Sequence, residues 1–137
     1  MQDLFDHILD VLRGEDQQEI YPSFDAVPVS RKSTMLFTVV SLDSVQLEPE
    51  FPGGITSIMT GAFPFTAVFQ ISVLVPMSQP LETAEDHFYT VILPRMESAG
   101  STLCDVLPAH TDAALGRIVM EGRFRLRGIL LEGSEDT

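Results

Sequence analysis

Phe63-Pro-Phe-Thr-Ala-Val-Phe-Gln-Ile-Ser-Val-Leu-Val75 is the stretch on which the fold turns. Phe63, Phe65, Ala67, Phe69, Ile71, Val73 and Val75 recur at every second position, with Thr66, Gln70 and Ser72 between them. Successive side chains of a β-strand point to opposite faces, so this period of two predicts a central strand with one face in the core. Pro76 closes it, because proline cannot donate to a ladder. The run is broken by Pro64, Thr66, Gln70 and Ser72. It is also too short for a bilayer-spanning helix, which takes about 20 residues.

Downstream, Ser78-Gln79-Pro80 reads as a helix start with proline in the first turn. Glu82, Glu85 and Asp86 follow, where the helix dipole favours acids. Leu81, Ala84, Phe88, Val91, Ile92 and Met96 form the stripe expected to be buried, and Gly100 ends the pattern. Pro94 inside it predicts a kink, since it removes a hydrogen bond and crowds the carbonyl of Thr90. Ser101–Gly116 is weakly patterned, with one short strand expected at Thr102–Leu107. Arg117–Leu131 alternates again: Ile118, Met120, Phe124, Leu126 and Leu130 on one face, and Arg117, Glu121, Arg123, Arg125 and Arg127 on the other.

Upstream, Met35–Leu47 is rich in β-formers and predicts a strand. Pro28 and Ser30–Thr34 read as a loop, and Ile20-Tyr21-Pro22 as a brief edge strand. Leu4, Phe5, Ile8, Leu9, Val11 and Leu12 recur at helical spacing, with Asp3 as the expected N-cap, Asp6 close behind it and Gly14 as the stop. A helix this short is marginal alone, so its apolar stripe must dock on the sheet or on a neighbour. The order predicts one α+β domain over residues 1–137: an antiparallel or mixed sheet of about four or five strands, with an N-terminal helix (1–14) and one main helix packed on it. Residues 48–62 are expected to be a long protruding loop and 132–137 a frayed acidic tail.

The chain has 137 residues, 45% of them apolar, which fits one core and excludes a disordered tail. Twenty acids against eight bases give a net charge of −12. That balance argues against a protein whose main work is gripping phosphate backbones. Cys104, alone, cannot form an intramolecular disulfide, which fits an intracellular, reducing origin. The acidic start, with Asp3, Asp6 and Asp10, is unlike a signal peptide, and no membrane association is expected.

Catalytic and metal motifs are sparse. His7, His87 and His110 share no ligand spacing, and Glu85-Asp86-His87 are neighbours that point in different directions on a helix. His87 is expected on a solvated helix face. Cys104 and His110 lack an orienting acid or an oxyanion hole, so Cys104 reads as packing rather than as a nucleophile. Gly53-Gly54 precedes no Lys-Ser or Lys-Thr and is no phosphate loop. No enzyme, metal or cofactor is expected. The arginine face Arg123, Arg125, Arg127 stands out among eight cations. It admits two readings: cross-strand pairing with acids, or an electrostatic contact with a partner.

In succession, the N-terminal amphipathic helix, Ile20-Tyr21-Pro22, Phe37-Thr38-Val39-Val40-Ser41-Leu42, the Pro/Gly-bearing loop 48–61, Phe63 to Pro76, the helix around His87-Phe88-Tyr89-Thr90-Val91-Ile92-Leu93-Pro94, and a closing strand ending Leu126-Arg127-Gly128-Ile129 cover nearly the whole chain. This succession resembles the tail terminator (tail completion) proteins of long-tailed bacteriophages and of Firmicutes prophages. The resemblance implies an α+β subunit that assembles into a ring, typically a hexamer. Such a ring stops tail-tube growth and meets the head connector in the virion, after assembly in the bacterial cytoplasm. It implies no active site, and DNA passing through the ring without specific binding. Acidity suits such a channel wall. Phe51, Ile55, Ile58 and Met59 make the loop too apolar for simple solvation, so they are expected to form one interface patch and Arg123, Arg125 and Arg127 another. The competing expectation is a small intracellular ligand-binding or regulatory module, with its pocket between the sheet and the 80–100 helix.

Overall fold

In a computed structural model, residues 2–32, 35–47 and 62–131 are described; the side chains of Phe63 and Leu130 fall outside that set. So do the loop 48–61, with Phe51, Ile55, Ile58 and Met59, and the tail 132–137. The elements in order are α1 (Gln2–Arg13), β1 (Ile20–Tyr21), a 3-10 turn (Phe24–Ala26), α2 (Val29–Lys32), β2 (Phe37–Leu47) and β3 (Ala62–Pro76). Then come α3 (residues 81–98), β4 (Thr102–Asp112) and β5 (Arg117–Leu131). The five strands form one mixed sheet in the order β1-β2-β3-β5-β4, with β1 parallel to β2 and the other pairs antiparallel. This is the expected α+β class, and the strand that opened the reading lies at its centre.

Phe65, Ala67, Phe69, Ile71, Val73 and Val75 are all buried on one face of β3. From β5 they are joined by Ile118, Met120, Phe124 and Leu126, and the helices supply the second layer. α1 contributes Ile8, Leu9 and Leu12, and Phe5 stacks on Phe69 with ring centroids 6.3 Å apart. α3 contributes Ala84, Phe88, Ile92 and Met96, all fully buried. Burying each of the three larger side chains is worth about 1.5–3 kcal/mol, which explains why α3 sits tightly on the sheet.

Several expectations change in detail. α1 starts at Gln2, so Asp3 lies in its first turn rather than capping it; there it still favours the dipole. Pro80 is the cap residue of α3 rather than part of its first turn. Leu81, assigned to the buried stripe, is 44% exposed, because the first turn overhangs the sheet. The disturbance expected at Pro94 takes the form of a π-helical segment, Phe88–Ile92, directly ahead of Leu93–Ser98. Widening the turn there relieves the crowding that proline imposes on the preceding carbonyls. Part of the expected loop is the short helix α2, which buries no side chain. β4 runs eleven residues instead of six.

Two glycines set how closely the layers approach. Gly122 lies on the core face of β5, and a Cβ built there would be 2.4 Å from Cζ of Phe88. A Cβ on Gly128 would be 2.7 Å from Cζ of Phe65, its cross-strand partner. Both glycines make room for an aromatic ring.

At the joint between α1 and α3, Arg95 donates to the carbonyls of Leu12 (2.6 Å) and Arg13 (3.2 Å). Both carbonyls belong to the last turn of α1, which lacks intrahelical donors; that of Arg13 also accepts from the Gln18 N–H at 2.9 Å. The same guanidinium pairs with Asp16 at 2.9 Å.

Candidate interaction surface

The second face of the sheet is divided. At one end, Phe24 and Val27 fold over Phe37, Leu74 and Val119 to make a small separate core. Arg117 belongs to this end. Sequence alternation puts it on the arginine face, and it is there, but it is 1% exposed rather than displayed. Its guanidinium lies 4.7 Å from the centroid of the Phe37 ring and donates through Nη2 to the carbonyl of Met35. Its Nε and Nη1 have no partner among the described residues, and burial lowers its pKa from the usual arginine range.

At the other end of this face no described helix covers the strands. There β5 presents Arg123, Arg125 and Arg127 opposite Gln70, Val68 and Thr66 of β3. All three arginines are exposed, as alternation predicts. Their environments differ. Arg123 lies between two acids, donating to Asp105 of β4 at 2.6 Å and pairing with Asp43 of β2 at 3.7 Å. The hydrogen bond and charge of Asp105, followed by the charge of Asp43, raise its pKa. For Arg123 the cross-strand reading therefore describes the geometry. The pairs are half exposed, and pairs of that kind contribute little to stability.

Arg125 and Arg127 form no ion pair with any described residue. Together with Gly100 and Thr102 they line a cavity of about 220 Å³ at the end of the sheet. A second cavity of about 220 Å³ lies beside Arg123, lined by Gln70, Asp105, Val106, Leu107, Glu121 and Gly122. Asp43–Leu47 of β2 are exposed in an unbroken run, and Leu47 is 53% exposed. β2 and β3 remain paired as far as Leu47 and Phe65, the rung next to the 48–61 connection.

The histidines and the cysteine are dispersed. His7 is exposed on α1, and His110 is exposed on β4 with Nδ1 3.1 Å from the carbonyl of Pro108. His87 is not on a solvated face: it is half-buried, and its Nε2 has no partner among the described residues. Burial lowers its pKa, the charge of Arg95 acts the same way, and Asp16 opposes them. Cys104 is exposed rather than packed, at a β4 bulge where its thiol lies 3.5 Å from the Thr102 carbonyl. Among the described residues, no three His, Cys, Asp or Glu side chains converge as metal ligands. No described helix is long and apolar enough to cross a membrane.

Sequence reading finds the arginine stripe but not its acids, Asp43 and Asp105. Both lie at bulges that shift the register, so counting by twos does not align them with Arg123. No protein-family model and no curated protein matches the chain.

Proposed function

We propose that this chain is a structural subunit that works by assembly: a tail terminator-like ring component that caps a phage tail tube and joins it to the head connector. The observation that carries this reading is the half of the sheet that no described helix covers, where Arg125 and Arg127 are exposed without an acid partner among the described residues. Cations are scarce in this chain, and two of its eight stand near one another on β5 with no ion pair among the described residues. Such a surface makes sense as one half of a complementary contact. The end of β2 adds support, since Asp43–Leu47 are all exposed although β2 remains paired with β3 there.

The competing reading, a ligand-binding module, puts its pocket between the sheet and α3. There Ala84, Phe88, Ile92 and Met96 are fully buried against the sheet. The cavity beside Arg123 is open to solvent and, at about 220 Å³, smaller than the roughly 300–1,000 Å³ of most ligand sites. Light scattering over a concentration series at low and high salt separates the two. Ring assembly predicts a mass that rises from 15.1 kDa to a closed multiple and falls back at high salt. A mass fixed at 15.1 kDa, with a melting temperature raised by a small metabolite, overturns it.

A further inference from the structure

We propose that the Arg125/Arg127 cavity receives the acidic face of α1 from a second copy of this chain, in a head-to-tail contact. This deepens the assembly reading and rests on it. Asp3, Asp6 and Asp10 are all exposed on α1. Spaced three and four residues apart, they lie along one side of the helix, over about 10 Å at ~1.5 Å per residue. Arg123, Arg125 and Arg127 alternate along one face of β5 over about 13 Å at ~3.3 Å per residue. The two stripes match in length and are opposite in charge.

Their placement decides what kind of assembly follows. α1 packs on the core face of the sheet, through Ile8, Leu9 and Leu12, and turns its acids outward. The arginines project from the opposite face, so the sheet separates the two patches and they cannot meet within one molecule. A contact between unlike patches on opposite sides leaves each copy with one of each still open. It therefore propagates, closing as a ring when the rotation per subunit divides a full turn. A two-fold dimer would have to make both contacts at once across one interface, which patches on opposite faces of the sheet cannot do.

The two patches also differ in how firmly they are held internally. Arg123 is already engaged by Asp105 and Asp43, which fixes it as the inner edge of the patch. Arg125 and Arg127 lie beyond the β4 strand's acids, with the Thr102 hydroxyl available as a further donor in the same cavity. Asp10 pairs with Arg13, 3.6 Å away, and remains 77% exposed at its side chain, so an incoming guanidinium can reach it.

The test uses two full-length variants, Arg125→Glu/Arg127→Glu and Asp3→Lys/Asp10→Lys, with Asp6 left unchanged. Sedimentation velocity reports the apparent association of each variant and of their equimolar mixture, and circular dichroism melts report folding. Each variant alone is expected to associate at least roughly tenfold more weakly than the wild type, as losing an interfacial charge pair requires. The mixture is expected to recover, because the acids of the first variant face the arginines of the second and the lysines of the second face the new glutamates of the first. Wild-type association that survives unchanged in both variants overturns this contact and leaves assembly through another surface standing. A wild-type chain that never leaves 15.1 kDa overturns the assembly reading itself, and the contact with it. A monomer that binds duplex DNA through the same arginines overturns both.

Discussion

Gly122→Ala tests how the main helix is seated on the sheet. Alanine normally improves a strand by roughly 0.5–1 kcal/mol over glycine, because it loses less backbone entropy on folding. Here the added Cβ would lie 2.4 Å from Cζ and 2.9 Å from Cε2 of Phe88, with Cδ1 of Leu103 at 3.4 Å. Reaching ordinary contact at 3.4 Å requires the ring to retreat by about 1 Å. Phe88 is fully buried and packed against Phe124, centroids 5.9 Å apart, so its ring cannot swing aside without moving α3. Overpacking of this kind costs roughly 1–3 kcal/mol, more than the entropic gain. The net expectation is a loss of about 1–2 kcal/mol, read as a lower urea midpoint and a melting temperature down by roughly 4–8 °C. In a Phe88→Leu host, where the ring edge is absent, the same Gly122→Ala change should be neutral or stabilising. A wild-type chain that tolerates Gly122→Ala, or an equal cost in both hosts, would refute the claim that this glycine exists to admit Phe88.

Arg95→Ala should cost about 1–2 kcal/mol, because the Leu12 carbonyl loses the Arg95 guanidinium and the Arg13 carbonyl keeps only the Gln18 N–H; hydrogen exchange should rise in α1 ahead of the sheet. His87 gives a pH signature. Its folded pKa is lowered by burial, so the unfolded chain binds the proton more readily and stability falls as pH drops below the ordinary value near 6.5. Urea midpoints at about pH 7.5 and about pH 5.5 should differ less in His87→Gln than in the wild type, and an equal difference would contradict the assignment. Arg117→Met should be neutral or stabilising in urea melts, since it removes a buried charge with two unpartnered donors while keeping volume over Phe37. A loss above roughly 2 kcal/mol would mean that the charge itself holds this end of the sheet together.

The legibility of this fold follows the range of its interactions. β3 is read from its own residues because both its neighbours are sheet strands and one face is wholly core, which leaves a clean period of two. β4 is an edge strand with irregularities between Leu103 and Asp105 and between Leu107 and His110. Each bulge shifts the alternation by one, so beyond Pro108 no pattern survives to extend the expected six-residue strand. Gly122 and Gly128 are silent for a different reason: their meaning lies in Phe88 and Phe65, far away in sequence. Arg117 shares its period with the exposed arginines and is buried only because Phe24 and Val27 close over its end of the sheet. The same holds for the candidate surface. Alternation exposes the arginine stripe, while the pairing of Arg123 with Asp105 and Asp43, which Arg125 and Arg127 do not share, depends on cross-strand register.

The measurement closest to the central claim is electron microscopy of the associated state, with class averages of single particles. The account predicts closed rings of one size with a central opening, which disappear when Arg125 and Arg127 are both replaced by glutamate. Compact two-fold dimers, or a field of monomers at every concentration, would contradict it.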